Sequence, residues 1–165
     1  MTDRPTLAAV VVNYNYARYL PAALDSLLAQ ELPFDEVIAV DDGSTDDSRR
    51  VLDDYRSRVK VVEIPNGGQL GACRAGLAAA TADYVYVLDA DDLALPQLVA
   101  TVAPALAGRP AKVQFQLEGF NDGGEPLESV FPTFPQPYRT ADMRADNDAI
   151  GFYVCPPTSG NVYDR

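Results

Sequence analysis

The 165-residue sequence contains no histidine, which excludes a histidine-based catalytic triad and argues against zinc held by imidazole and thiolate. Cysteine is nearly missing too. Cys73 and Cys155 are the only two, too few for a disulfide framework. Basic residues are scarce, 13 Lys and Arg against 24 Asp and Glu, and the net charge is −11. A surface that negative repels phosphate backbones and anionic lipid, so nucleic acid is excluded as a partner. It also repels a nucleotide diphosphate, unless a divalent cation stands between the acids and the phosphates. No long apolar run is present, and the cleanest, Leu7 to Val12, is far too short to span a membrane. The N-terminus lacks the basic and apolar regions of a signal peptide. The expectation is a cytoplasmic protein, or one working at the cytoplasmic face of the membrane.

What is present is an alternation of strand and helix patterns. Leu7–Val12 is continuously apolar with β-branched residues, as in a strand buried on both faces. Leu20, Ala23, Leu24, Leu27 and Leu28 then repeat with helical spacing. Glu36 to Val40 reads as a second strand, and Ser44 with Asp47, or Thr45 with Ser48, offers a cap for a helix burying Val51, Leu52 and Tyr55. Val59 to Ile64, Tyr84 to Leu88 and Val113 to Leu117 read as three further strands. Helices are expected over Gln69 to Ala82 and Leu95 to Ala107, with Pro104 kinking or ending the latter. Such spacing predicts βαβ units with right-handed crossovers. From about Gly119 the pattern changes to a hairpin turn, Asn121 to Gly124, and an extended segment over Phe131 to Pro137.

The polar clusters fall just past strand ends. Asn13-Tyr14-Asn15, Asp41-Asp42, Asn66-Gly67-Gly68 and Asp89-Ala90-Asp91 each follow an apolar run. In an open parallel sheet the carboxyl ends of the strands share one edge, where ligands bind. Asp89 and Asp91, with Asp92 behind them, can hold Mg2+ or Mn2+ while phosphate oxygens complete the shell, or can simply be a solvated acidic turn. Asp41-Asp42-Gly43-Ser44 suits a carboxylate accepting a hydrogen bond from a nucleobase imide, and equally suits a helix start. Gly67-Gly68 lets backbone N–H groups approach a phosphate, and Arg74 lies one turn further along the same helix. Tyr14, Tyr16 and Tyr19 offer rings for base stacking or for the core. Cys73 reads as a small packing residue, because nothing nearby activates it.

In order, Val10–Asn15, Val40–Asp46, Asn66–Arg74 and Val87–Asp92 resemble the large family-2 group of inverting glycosyltransferases with the GT-A fold. The resemblance covers about residues 6 to 100, and Pro156–Asn161 resembles a segment preceding the acceptor side in some members. It implies a Rossmann-like α/β fold, a mostly parallel sheet flanked by helices with an appended hairpin and loop region. Residues 1–118 would form the nucleotide-sugar-binding core and 119–165 the start of the acceptor side, within a truncated catalytic domain. It implies that Asn13, Tyr14 and Asp41 frame the nucleobase, with Asp41 on the imide nitrogen of uracil or thymine. Asp89 would lie near the ribose and cation, and Asp91 would be the principal ligand of Mg2+ or Mn2+. Asn15, Asp42, Gly68, Arg74 and Ala90 complete the implied donor site. The reaction would move a sugar from UDP or dTDP to a hydroxyl of a glycan, lipid-linked or small-molecule acceptor, with inversion. The general base is expected beyond Arg165, since no motif supports Asp142, Asp146 or Asp148.

Three alternatives differ in class. A nucleotide-sugar-binding module without the general base would keep the donor half only. A receiver-like signalling domain would need a lysine near the end of the fifth strand, whereas Lys60 and Lys112 fall at strand beginnings. A nucleotidyltransferase would need a basic, glycine-rich N-terminal loop that is missing here.

Overall fold

The computed structural model describes residues 4–121, 123–131 and 158–165. Strand β1 (Leu7–Asn13) is buried along its whole length, as its unbroken apolar run requires. Helix α1 (Leu20–Leu28), with Pro21 preset in its first turn, leads to β2 (Glu36–Asp42). Helix α2 (Ser48–Tyr55), β3 (Lys60–Ile64), α3 (Gly68–Ala79) and β4 (Tyr84–Asp89) follow. Then come α4 (Leu98–Leu106), β5 (Lys112–Gln114), the hairpin β6 (Leu117–Phe120) and β7 (Pro126–Phe131), and β8 (Asn161–Asp164). Among the described residues, no helix is long and apolar enough to cross a membrane.

Six strands form one sheet in the order β3-β2-β1-β4-β8-β5, parallel except for β8. Side chains alternate between two cores. Ala9 and Val11 of β1 face Leu20, Leu24, Leu27 and Leu52 of α1 and α2. Val10 and Val12 face the other way, toward Ala72 of α3. The first two crossovers move the chain outward and share one face. The third returns past β1 to β4, and its helix α3 lies on the opposite face, so all three units have the same hand. That reversal between β1 and β4 is where an open α/β sheet parts at its carboxyl edge.

Helix α3 packs close because it is built of small residues. A methyl group at Gly76 would come 2.3 Å from Val10 Cγ1, so only glycine allows this approach.

Four expectations are changed. The apolar segment Val113–Leu117 divides: Lys112–Gln114 joins the main sheet, while Leu117 begins the separate β6–β7 ribbon. Between them Phe115 donates its N–H to Gly160 O and packs on Tyr86, which turns the chain away. Strand β8 enters antiparallel between β4 and β5, with Val162 as its single buried apolar residue. Right-handed crossovers throughout are not what forms. The β4–α4–β5 crossover moves the same way across the sheet as β3–α3–β4, yet α4 packs with α1 and has the opposite hand. Gln30 fixes α4 there, donating to Leu95 O at 2.8 Å and accepting from Val99 N at 3.2 Å. Finally, α4 starts at Leu98 and continues two residues past Pro104, which deprives one carbonyl of its helical partner without breaking the turn.

Candidate functional site: a cleft at the carboxyl ends of three strands

Register brings the polar clusters level. Asn13 pairs with Asp41 across β1–β2, and Val12 pairs with Asp89 across β1–β4. Above these ends lies a cleft of about 520 Å³, whose wall includes Asn13, Tyr14, Asp42, Gly68, Asp89, Ala90 and Asp91. Asn15, Asp41 and Arg74 are absent from that wall. Asn15 is exposed on the loop after β1, Asp41 is buried behind the wall, and Arg74 is exposed on α3.

Behind the wall the loops after β1 and β2 are tied together. Asn13 Nδ2 donates to Asp41 Oδ1 at 3.0 Å and to Ser44 Oγ at 3.1 Å. Asp41, wholly buried, accepts at Oδ2 from Ser44 N at 3.2 Å and Arg49 Nε at 3.3 Å. Asn15 has φ of 60°, a left-handed conformation that asparagine tolerates, and its Oδ1 accepts from Thr45 N at 2.7 Å. The expected caps of α2 are therefore used otherwise. Ser44 and Thr45 bind Asn13 and Asn15, and Asp46 Oδ1 accepts from Ser48 N at 2.9 Å. Asn13 Oδ1 is buried without a hydrogen-bond partner among the described residues, as is Ser48 Oγ.

A second set of bonds draws the loop after β3 across the cleft. Asp42 Oδ1 accepts from Gly67 N at 2.7 Å, and Asn66 Nδ2 donates to Asp42 O at 3.1 Å. Gly43 must be glycine on two counts, φ of 71° and a would-be Cβ 2.7 Å from Asn66 N. Gly68, with φ of 74°, then starts α3.

The third part is acidic. Asp89 is half-buried, Asp91 exposed, and Asp92 half-buried. Burial raises the Asp89 carboxyl above its ordinary value, and the charges of Asp92 and Asp91 raise it further against the opposing bond from Gln69. Burial likewise raises Asp92, helped by Asp91 and opposed by Ser159. Ser159 Oγ accepts from Asp89 N at 3.1 Å and donates to Asp92 Oδ2, linking both acids to the turn before β8. None of the ion pairs among the described residues involves these three acids. Nor do the described residues gather three His, Cys, Asp or Glu into a closed metal cage. An uncompensated pair of carboxylates with open coordination fits a hard divalent cation that takes its remaining ligands from phosphate and water.

Titration makes a checkable consequence of this crowding. A carboxyl raised in the folded state favours folding most below its ordinary value of 3.8, and that contribution is lost as pH rises through the raised value. At neutral pH the cation-free Asp89→Asn variant should therefore melt above the unaltered chain. The difference should vanish in acid, which paired thermal melts across pH would read.

Tyr14 and Tyr16 are 45% and 40% exposed and both line the cleft, whereas Tyr19 packs beside Tyr16 with ring centres 5.9 Å apart. Cys73 is half-buried, and burial followed by the Asp89 charge pushes its thiol up. Gln69 and Ser159 were not anticipated. Gln69 follows the Gly67-Gly68 signal directly, and Ser159 lies within the Pro156–Asn161 segment, which carries no sign of a bond to the acids. The acids Asp142, Asp146 and Asp148, Cys155, and residues 132–137 and 156–157 lie outside the described residues.

A second, mostly apolar cavity of about 560 Å³ adjoins this site. Its wall runs from Asp92 and Ser159 over Leu93, Leu95, Phe115 and Pro126.

Comparison with known proteins bears on the family and the fold. An uncharacterized glycosyltransferase, alr2836 of Nostoc sp., is 34% identical over 165 residues, covering 96% of this chain and 51% of its own length. The chain thus spans about half of that relative. Staphylococcus aureus TarS in complex with UDP-GlcNAc superposes with a TM-score of 0.65 at 28% identity, covering 74% of this chain and 37% of TarS. The mannosyltransferase PcManGT from Pyrobaculum calidifontis, in complex with GDP-Man and Mn2+, gives 0.56 at 28% identity over 64% of this chain and 33% of its own. Residues 8–162 match the family described as glycosyl transferase family 2, and the chain belongs to that family.

Proposed function

We propose that the cleft binds a nucleoside diphosphate sugar with a divalent cation, and that the sugar passes to an acceptor hydroxyl with inversion. The observation that carries this reading is the uncompensated Asp89–Asp91 pair, level with the ends of β1 and β2 on one cleft wall. A bound Mg2+ or Mn2+ would neutralise charge building on the departing diphosphate. Asp91 is the exposed ligand and Asp89 the half-buried one. The nucleobase lies toward Asn13 and Tyr14, with Asp41 shaping Asn13 from behind and Tyr14 and Tyr16 offering ring faces. Gly68 and the N-terminus of α3 face the phosphates. Solved relatives in complex with UDP, UDP-GlcNAc, and GDP-Man with Mn2+ support a donor of this class.

The acceptor belongs in the adjoining cavity, because it begins at Asp92 and Ser159, beside the cation ligands.

Thermal unfolding of the chain with UDP, dTDP, GDP and ADP, each with Mn2+ or with chelator, tests the donor reading. A nucleotide at ~100 times its dissociation constant should stabilise by roughly 2.7 kcal/mol. We expect that gain with UDP or dTDP, and only with Mn2+. A flat response to all four nucleotides in both conditions would sink the proposal.

A further inference from the structure

Gln69 belongs to the loop and helix start that cross the cleft, and it bonds their far side to β4. Its Nε2 donates to Asp89 Oδ1 at 2.9 Å. The near side is fastened at β2, by Asp42 on Gly67 N and by Asn66 on Asp42 O. Because β2 and β4 flank β1 on opposite sides, these bonds carry the chain over the end of β1, where the cleft opens. Helix α3 cannot drift from that position, since Gly76 seats it against Val10.

The type of residue matters. A lysine or arginine here would pair with Asp89 and cancel its charge. A carboxamide fixes one carboxylate oxygen and leaves the charge intact, with the second oxygen for another ligand. Partners of this kind orient metal-ligating carboxylates, and their loss typically costs ~10–100-fold in metal affinity.

We infer that Gln69 is a positioning residue that orients the Asp89 carboxylate for the divalent cation, so that the Gln69–Asp89 hydrogen bond couples the cation to the loop over the cleft. This rests on the reading that the cleft takes a cation with its nucleotide. Gln69 itself is exposed, so its replacement should leave folding alone.

The test titrates Mn2+ into the 165-residue chain, alone and with UDP, following free Mn2+ by electron paramagnetic resonance. Gln69→Met keeps the length and removes the donor. Gln69→Lys puts a cation against Asp89. We expect Mn2+ affinity to fall ~10-fold in the first and ~100-fold or more in the second. Melting temperature without ligand, and UDP binding in chelator, should stay unchanged in Gln69→Met. Unchanged Mn2+ affinity in Gln69→Met overturns the inference while leaving the donor site standing. So does an equal loss of UDP binding with and without Mn2+, or a lowered melting temperature, either of which makes Gln69 a structural element of the loop. If the unaltered chain takes up no Mn2+ even with UDP, both the donor-site reading and this inference fail together.

Discussion

Asp41→Asn is expected to destabilise the fold by about 3 kcal/mol, because each of its contacts is a donor and the amide is half donor itself. Asp41 Oδ1 faces Asn13 Nδ2, while Oδ2 faces Ser44 N and Arg49 Nε. Whichever way the new amide turns, its NH2 meets a buried N–H. Turning Asn13 over repairs one bond, but it leaves Ser44 Oγ without that donor and moves the Asn13 NH2 to where Oδ1 already lacks a partner. Arg49 carries little of the effect, since its side chain is 55% exposed, and an ion pair so solvated is worth at most ~1 kcal/mol. Arg49→Ala should thus cost far less than Asp41→Asn. For a chain of this size the Asp41→Asn loss corresponds to a melting temperature lower by roughly 6–12 °C. Nucleotide binding should fall with it, because Asn13 on the cleft wall loses its support. A variant that melts within about 2 °C of the unaltered chain would show that the two loops are held by other means.

Asp41 also shows how far such residues can be read without coordinates. A carboxylate at the end of β2 was visible in the sequence, and the resemblance assigned it to the nucleobase. Its position behind the wall was not visible, because side-chain direction at a strand end depends on pleat and register. Asp41 and its register partner Asn13 share the α1–α2 face of the sheet, and Asn13 stands between Asp41 and the cleft, whereas Asp42 opens toward α3 and the cleft. The core was legible for the opposite reason. Leu7–Val12 and the Leu20–Leu28 repeat each declare their period within a few residues, and burial follows the period. Strand β8 declares nothing. Its four residues become a strand only because β4 and β5 leave a gap with free hydrogen-bonding edges on both sides. Ser159 lies in the Pro156–Asn161 segment that the resemblance marks, but its bonds to Asp89 and Asp92, some seventy residues upstream, are visible only in the fold. The reversed hand of the β4–α4–β5 unit likewise depends on Gln30, a buried carboxamide at the end of α1 whose partners lie beyond β4.

Asp91→Asn is expected to do the reverse of Asp41→Asn, removing the ligand response and sparing the fold. Asp91 is exposed, and no bond of the framework depends on it, so the variant should melt with the unaltered chain when no ligand is present. Its loss as a cation ligand is a different matter. Asp89 remains, but a single half-buried carboxylate is a poor anchor for a hard cation. If apparent affinity for UDP with Mn2+ drops ~100-fold, a ligand concentration giving roughly 2.7 kcal/mol in the unaltered chain gives about 0.4 kcal/mol in the variant. Binding of UDP in chelator should be equal in the two proteins, because Asn13, Tyr14 and the α3 N-terminus are untouched. The pair of variants therefore separates two roles that acids at two strand ends share in the sequence. Asp41 holds Asn13 of the wall, and Asp91 is proposed to meet the cation. Retention of the full Mn2+-dependent gain by Asp91→Asn would move the cation to Asp89 and Asp92, with Ser159 as their common partner.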